Sequence, residues 1–354
     1  MSNNIRVGIL GATGAVGQRF VQLLEGHPWF TVTALAASER SAGKSYPEAA
    51  TWRLDTPMPE SAKDLIVQPC TPGLPCDLVF SGLDSSIAGP IEQAFAAAGY
   101  AVISNSKNHR MDDDIPLLIP EVNPDHTAII PYQQRKRGFD RGFIATNPNC
   151  STIGLTLALK PLADQFGLRT VIVTTMQALS GAGYPGVPSL EILDNVLPYI
   201  GEEEEKMERE SLKLLGTCDG KRFEAAAMVV SAQCNRVHVQ DGHMECVSVS
   251  LEKQVETEDV IEALQSFTAL PQELALPFAP AQPIIVRDEP DRPQPRFDRN
   301  MEGGMAVVVG RVRPCPVLDF KFVVLSHNTI RGAAGAAILN AELLQAQGYL
   351  SNGQ

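Results

Sequence analysis

The first twenty-four residues place an apolar run, a glycine-rich turn and a helical pattern in direct succession. Ile5 to Leu10 is typical of a buried strand, and the turn Gly11-Ala-Thr-Gly14-Ala-Val-Gly17 follows it at once. Phe20, Val21 and Leu24 then indicate one face of a helix. Glycines there let a diphosphate reach the free N–H groups of the helix N-terminus, so this order predicts the first unit of a dinucleotide-binding fold. The spacing differs from the commoner G-x-G-x-x-G, and a tight turn without a ligand is the alternative.

The residues after the next predicted strand bear on the type of dinucleotide. The strand Phe30 to Ala37 ends at the sequence Ser38-Glu39-Arg40-Ser41, and Lys44 lies just beyond. An acidic residue at this point takes the ribose 2′-OH of NAD, whereas an arginine accommodates the 2′-phosphate of NADP. Glu39 leaves NAD as an alternative cofactor. Arg40, flanked by hydroxyls and followed by Lys44, favours NADP.

A second strand, helix and strand follow an irregular, proline-rich segment from 49 to 75. The predicted elements are a strand from Asp77 to Leu83, a helix from Ile87 to Gly99 preceded by Ser85 and Ser86, and a strand from Tyr100 to Ser104. The loop after this unit carries Lys107 and Arg110 at the carboxyl end of a strand, where open α/β sheets bind ligands. The alternative is that these two are ordinary surface cations.

Cys150 lies where a predicted strand gives way to a helix. Pro148 ends the extended run Gly142 to Thr146, and after Cys150 apolar residues recur at helical spacing as far as Phe166, before Gly167. The positive end of a helix lowers a thiol pKa from its usual ~8.5. We therefore predict that Cys150 is a thiolate nucleophile for a carbonyl carbon. The alternative is a small apolar residue at a domain junction.

The remainder of the chain predicts a second domain built on a mixed or antiparallel sheet. Its β-branched runs are Thr170 to Thr175, Ala225 to Ser231, Glu245 to Leu251, Ala306 to Val312 and Phe320 to Leu325. The stretch 328–350 reads as a helix rich in alanine and glycine that packs back on the first domain. The predicted division is a Rossmann-like domain 1–149, completed by the helix 328–354, and an α+β domain 150–327.

The segment from Cys234 to Cys246 admits two interpretations. Its two cysteines and two histidines, Cys234, His238, His243 and Cys246, have zinc-ligand chemistry. The spacing lacks a C-x2-C pair, however, and alternation along a strand would not bring all four side chains together, so we expect no metal. The acid/base interpretation needs only one histidine near the nucleophile and one arginine that grips a carboxylate.

Composition limits the partners. The formal charge of −12, from 41 acidic and 29 basic residues, argues against nucleic acid and against an anionic membrane. No apolar run approaches the ~18 residues of a membrane span, and no signal-peptide pattern opens the chain. Seven cysteines do not suggest a disulfide framework. We expect a cytoplasmic protein with reduced thiols.

Several motifs together resemble the aspartate-β-semialdehyde dehydrogenases, in particular the archaeal and fungal branch. The resemblance covers essentially the whole chain. The motifs are Gly11 to Gly17, Ser104 to Met111, Pro116 to Asn123, Asn147 to Thr152, Gln177 with Ser180 to Gly183, Glu203 to Lys206, and Arg236 with His243. Their order and spacing carry the resemblance, since no single motif decides it.

The resemblance implies a role for each matching residue. Cys150 would be the nucleophile, His243 the acid/base, Gln177 and Asn149 its helpers in catalysis, and Arg236 the carboxylate clamp. Glu203, Lys206, Arg110 and Asn108 would complete the substrate site. The implied NADP-binding residues are Gly11, Thr13, Gly14, Ala15, Val16, Ser38, Arg40, Ser41, Lys44, Ser85, Ser180, Gly181 and Asn328.

The implied reaction is the NADPH-dependent conversion of aspartyl phosphate to aspartate semialdehyde through a cysteine thioester, with release of inorganic phosphate. The family also implies a homodimer or homotetramer. An acyl-CoA reductase on the same scaffold, such as malonyl-CoA reductase, is the nearest alternative, and an N-acetyl-glutamyl-phosphate reductase is more distant. A non-catalytic NADP-binding protein is the alternative from another class, although Cys150 and His243 are both present.

Overall fold

The computed structural model describes residues 4–350 and contains two six-stranded sheets. The first sheet is parallel, in the order β3-β2-β1-β4-β5-β6. Its strands are β1 (Ile5–Leu10), β2 (Phe30–Ala37), β3 (Val67–Pro69), β4 (Leu78–Ser81), β5 (Ala101–Ser104) and β6 (Phe143–Thr146). The predicted Rossmann-like sheet is confirmed, and β1 and β2 have the predicted bounds.

The second sheet is mixed, in the order β10-β7-β11-β14-β13-β12. Its strands are β7 (Leu168–Gln177), β10 (Val229–Arg236), β11 (His243–Leu251), β12 (Ile284–Arg287), β13 (Val307–Pro314) and β14 (Phe320–Ser326), and β8 (Thr217–Cys218) pairs with β9 (Phe223–Glu224) apart from it. The predicted run Ala225 to Ser231 was wrong at its start. The Ala226 N–H donates to Leu212 O at the end of a helix, so the strand begins only at Val229.

Helices cover both sheets. They are α1 (Ala15–Leu23), α2 (Tyr46–Ala49), α3 (Glu60–Lys63), α4 (Ser85–Ala97), α5 (Ile130–Arg137), α6 (Cys150–Phe166), α7 (Ser189–Ile192), α8 (Glu203–Leu214), α9 (Thr257–Gln265), α10 (Leu270–Glu273), α11 (Pro295–Asp298) and α12 (Gly335–Ala346). Helices α5, α8 and α9 were not predicted from the sequence. α5 has almost no apolar periodicity, whereas α8 and α9 carry an apolar face at helical spacing that was available as a signal. No helix within residues 4–350 is long and apolar enough to cross a membrane.

Two helices connect the sheets. Leu155, Leu159 and Leu162 of α6 are fully buried in the core of the second sheet, whereas α12 packs Ile338 and Leu344 into the core of the first. Because α6 begins between the two sheets, the side chain at its first residue faces elements from both.

A turn of π-helix, Ile330–Ala334, precedes α12 and lies against the start of α6. A Cβ added at Gly332 would lie 2.8 Å from the Cys150 Cβ, so only glycine fits there. The next residue back, Arg331, is fully buried and pairs with the fully buried Glu121 at 2.6 Å. This ion pair anchors the turn that supports the nucleophile.

Candidate active site

Cys150 is the first residue of α6, as predicted. The Asn149 side-chain oxygen accepts the backbone N–H of Ser151 at 2.9 Å and that of Thr152 at 3.4 Å. Asn149 is therefore the N-cap, and its side chain satisfies donors that would otherwise be free. The Cys150 side chain is left at the mouth of the helix and lines a cavity.

His243, at the start of β11, faces this thiol. Its Nε2 lies 3.2 Å from Cys150 Sγ, and its Nδ1 accepts the Ala178 backbone N–H at 3.0 Å. The ring is fully buried. A Cβ added at Gly181 would come within 3.0 Å of the ring and 2.9 Å of Arg236 Nη1, so a larger residue there would press on both side chains.

Burial decides the pKa values of this pair. It raises the pKa of the Cys150 thiol to about 12; Glu203 adds to the rise, while Arg236 and Arg110 oppose it. The expectation that the helix N-terminus lowers this pKa was therefore wrong for the protein without substrate, because desolvation of a thiolate outweighs the helix. Burial, helped by Arg236 and His327, lowers the pKa of His243 to about 3. At neutral pH the pair is a thiol and a neutral imidazole.

Arg236 lies at the end of β10, in register with Gln177 on β7. Its Nη1 donates to the Ala178 carbonyl at 2.7 Å, and its side chain lines the cavity. Arg236 and His243 thus hold opposite ends of the Ala178 residue, one through its C=O and the other through its N–H. The guanidinium makes only this side-chain hydrogen bond within residues 4–350, and its remaining N–H groups are left for a ligand.

Helix α8 presents three charged side chains to the site at helical spacing. Glu203 accepts from Lys206 Nζ at 2.9 Å, from Asn149 Nδ2 at 2.8 Å and from Gln177 Nε2 at 3.3 Å. Glu210, two turns further along the same face, accepts the Asn149 backbone N–H at 2.6 Å. The residue before the nucleophile is therefore held by two carboxylates of one helix.

Arg110 also binds the Glu210 carboxylate. Its Nη1 donates to Glu210 at 3.0 Å and its Nη2 to the Asn105 carbonyl at 2.7 Å. Lys213 of α8 fixes the loop itself by donating to the carbonyls of Arg110, Asp112 and Ile115, each at 2.8 Å. Sequence reasoning missed Glu210 and Lys213. Their spacing from Glu203, at seven and ten residues along one helix, was the signal available.

Several of these side chains line one cavity of about 510 Å³ between the two sheets, whereas His243, Gln177, Glu210 and Lys213 are not among its lining residues. The predicted site residues that line it are Ala15, Val16, Ser85, Arg110, Asn149, Cys150, Ser180, Gly181, Glu203, Lys206, Arg236 and Asn328. Asn108 does not. Its Nδ2 donates to the Ser85 carbonyl at 2.9 Å, which turns the side chain toward α4, and Asn105 and Ser106 line the cavity in its place. Asn108 thus lies beside the cavity, next to its lining residue Ser85, and its place in the substrate site stays a prediction.

The other predicted cofactor residues lie along the carboxyl edge of the first sheet. Gly11 and Thr13 are in the turn between β1 and α1, and Gly14 is the exposed N-cap of α1 without a capping side chain. Ser38, Arg40, Ser41 and Lys44 follow the end of the neighbouring strand β2. No ion pair involves Arg40 or Lys44 within residues 4–350, so both cations are available to an anion.

The four candidate zinc ligands point apart. Cys234 is buried against Met207, His238 is exposed, and Cys246 is exposed on the face of β11 opposite to His243. No cluster of three or more metal-binding side chains exists in the part of the chain that the structure describes. All seven cysteines fall within that part, and all are free.

A Rossmann-type sheet, a glycine turn at its carboxyl edge and a cysteine that pairs with a histidine and lines one cavity with two arginines define a dinucleotide-dependent oxidoreductase. Two family models match the chain. Residues 6–130 match the NAD binding domain of semialdehyde dehydrogenase, and residues 159–331 match its dimerisation domain. The chain belongs to the aspartate-semialdehyde dehydrogenase family.

Relatives agree over nearly the full length. The aspartate-semialdehyde dehydrogenase of Methanothermobacter thermautotrophicus is 54% identical, over 96% of this chain and 99% of that protein. That of Cryptococcus neoformans is 50% identical, over 98% of each. A crystal structure of the Candida albicans enzyme with NADP has 48% identity and a TM-score of 0.90, over 97% of this chain and 99% of that one. The acyl-CoA reductase and non-catalytic alternatives are not favoured.

Proposed function

We propose that this chain reduces L-aspartyl-4-phosphate to L-aspartate-4-semialdehyde with NADPH, releasing inorganic phosphate, in the biosynthesis of lysine, methionine and threonine. The observation that carries the proposal is the 3.2 Å contact between Cys150 Sγ and His243 Nε2, set between Arg236 and Arg110. The family relationship supports the same reaction.

The residues at the sheet edge fit a dinucleotide. A Cβ on Gly11 would lie 2.7 Å from Gly82 O, and one on Gly17 would lie 2.2 Å from Gly11 O, so glycines close the turn tightly. A Cβ on Gly14 would meet only Gly11 O, at 3.4 Å, which leaves the outer side of the helix N-terminus open for a diphosphate. Arg40 and Lys44 would hold a 2′-phosphate.

Cations on separate elements suit the two ends of the substrate. Arg236 would bind the α-carboxylate through its planar fork. Lys206 and Arg110 would bind the phosphate, and the Glu203 carboxylate would bind the α-amine. A small dicarboxylic derivative held at both ends places its acyl carbon between these sites, next to Cys150.

Cys150 sulfur attacks the acyl carbon, and phosphate leaves to give a thioester. Sulfur suits this role because a thioester is more readily reduced than an oxygen ester. NADPH, when bound, supplies the hydride for that reduction. The Cys150 backbone N–H and the positive end of the α6 dipole would stabilise negative charge on the carbonyl oxygen, since Asn149 already binds the N–H groups of Ser151 and Thr152. His243 Nε2 faces the sulfur as the aldehyde departs.

The experiment is the oxidative reaction. Purified protein mixed with aspartate semialdehyde and NADP should reduce NADP only when inorganic phosphate is present. The same protein should show little activity with malonyl-CoA and NADPH. Phosphate-independent reduction, or full activity on malonyl-CoA, contradicts the proposal.

We also infer that the chain forms an even-numbered homo-oligomer in the cytoplasm. The match to a dimerisation domain supports the assembly. The outer face of the second sheet exposes Ile172 by 43%, and Met176 and Met244 lie on the same face in register. A second copy would cover these apolar groups. Light scattering of the wild type and of Ile172→Lys tests this assembly. The seven free thiols support the cytoplasm as the compartment, because thiols stay reduced there.

A further inference from the structure

Lys213, near the end of α8, binds three carbonyl groups of a single loop. Its Nζ donates to the carbonyls of Arg110, Asp112 and Ile115, each at 2.8 Å. No other donor reaches these three carbonyls within residues 4–350. The ring of Phe223 also lies close, with its centroid 4.3 Å from Nζ. An ammonium group has three N–H donors, so this loop uses all of them.

Helix α8 holds Arg110 through both its backbone and its side chain. Lys213 binds the Arg110 carbonyl, and Glu210, one turn earlier on the same helix, accepts from Arg110 Nη1 at 3.0 Å. All three residues are buried. Glu203 and Lys206, which line the cavity, project from the same helix. One rigid element therefore sets the position of Arg110 relative to the rest of the proposed substrate site.

We propose that Lys213 is a positioning residue for phosphate binding, because its ammonium group holds the loop 105–115 on α8 and so fixes Arg110 where the phosphate binds. This inference rests on the proposed function, in which Arg110 and Lys206 bind the phosphate. Lys213 does not line the cavity, so it acts through Arg110 and not by contact with the substrate. The semialdehyde carboxylate is bound instead by Arg236 on β10, which Lys213 does not touch.

The protonation state of Lys213 decides how many of these hydrogen bonds form. A neutral amine has two N–H donors and a lone pair, and one of the three carbonyls would then face the lone pair. Burial lowers the pKa of Lys213 to about 8, although the neighbouring aspartates oppose the shift. The third hydrogen bond is therefore lost as pH rises through this value, and phosphate binding should weaken with it.

Other ionisable and charged groups surround the Lys213 ammonium. They are Asp112, Asp113, Asp114, Cys218, His126, Arg110 and Glu210, with His109 on the Asp112 carboxylate. Although burial opposes it, the hydrogen bond to Asp112 raises the pKa of His109, so this histidine is the main competitor for an alkaline effect on the loop. An arginine at position 213 stays charged at alkaline pH and separates the two groups.

The variants Lys213→Met and Lys213→Arg test the proposal, with Arg209→Met on the exposed face of α8 as the control. In the NADP-reduction assay Lys213→Met should raise the KM for inorganic phosphate by about tenfold or more, because hydrogen bonds from a charged group are lost. The KM for the semialdehyde should change little, and Arg209→Met should change neither constant.

The pH profile is the second measurement. The phosphate KM of the wild type should rise between neutral pH and ~pH 9.5, whereas that of Lys213→Arg should not. Inorganic phosphate itself gains negative charge as pH rises, which favours binding to cations, so its own titration works against the expected change. Calorimetric titration with inorganic phosphate gives the same comparison without turnover.

Three results overturn the inference. They are equal changes of both KM values in Lys213→Met, a wild-type phosphate affinity that does not weaken in alkali, and an alkaline loss that persists in Lys213→Arg and so belongs to another group such as His109. If circular dichroism shows that Lys213→Met does not fold, the pH profiles of wild type and Lys213→Arg still decide. Wild type that binds phosphate but reduces no NADP contradicts the proposed function instead.

Discussion

Glu210 accepts the backbone N–H of Asn149 at 2.6 Å while its other oxygen accepts from Arg110 at 3.0 Å. One buried carboxylate thus joins the residue before the nucleophile to an arginine of the proposed phosphate site. The distance between the thiol and the phosphate therefore depends on α8, from which Glu210 projects.

A glutamine at 210 has one acceptor oxygen and cannot serve both partners. Glu210→Gln should lower turnover by about tenfold or more, since a hydrogen bond to a charged group contributes ~1.5–3 kcal/mol. The KM for phosphate should rise more than that for the semialdehyde. Glu205→Gln, on the exposed face of α8, is the control. Equal changes in both KM values count against a positioning role.

Cys150→Ser should keep the fold and NADPH binding but lose turnover, because a serine hydroxyl is a weaker nucleophile and gives no thioester. Circular dichroism, NADPH fluorescence and the NADP-reduction assay measure the three properties. The control is Cys246→Ser, which lies on the face of β11 opposite to His243 and should remain active. Normal turnover of Cys150→Ser is incompatible with the mechanism.

Arg40→Ala should weaken NADPH binding by ~1.5–3 kcal/mol if a charge-assisted hydrogen bond to the 2′-phosphate is lost. NADH lacks that phosphate, so its affinity should change little. Titration calorimetry with both cofactors measures the difference. An equal loss for NADPH and NADH removes Arg40 from the 2′-phosphate site.

Arg236→Lys and Arg110→Ala should separate the two ends of the substrate. Lysine has no planar fork, so the first variant should raise the KM for semialdehyde more than that for phosphate. The second should do the opposite. Steady-state kinetics with each substrate varied in turn gives all four constants. If both variants weaken both substrates equally, the two-ended model is wrong.

Glu245 should make stability depend on pH. It is 1% exposed, neither carboxylate oxygen has a hydrogen-bond partner within residues 4–350, and burial raises its pKa well above the usual value. The unfolded chain ionises this group above ~4.3, whereas the folded chain keeps it protonated. As pH rises, ionisation of this carboxyl therefore lowers the free energy of the unfolded state only. The free energy of unfolding falls until the carboxyl also ionises in the folded state.

Glutamine does not titrate. The unfolding free energy of Glu245→Gln relative to wild type should thus increase by about 1.4 kcal/mol for each pH unit between the two pKa values. Denaturant unfolding at a series of pH values measures it. A difference that stays constant with pH indicates that the folded carboxyl ionises normally.

The local sequence pattern was enough to predict the first sheet and the start of α6. The run Ile5 to Leu10 with its glycine turn, and the helical spacing after Cys150, depend on neighbours in the chain, so periodicity and turn chemistry report them. The resemblance to a known family then linked distant motifs such as Arg236 and His243. Their order along the chain carried that information, which no single segment held.

Tertiary structure alone decided the chemistry of the site. The sequence predicts a helix terminus that lowers the pKa of Cys150, but packing of Gly332 and His243 around the thiol desolvates it and reverses the shift. The His243 tautomer depends on the N–H of Ala178, sixty-five residues away. Glu210 and Asn149 likewise meet only after two helices pack. Burial and hydrogen-bond direction are properties of surroundings assembled from distant segments, and a linear pattern contains neither.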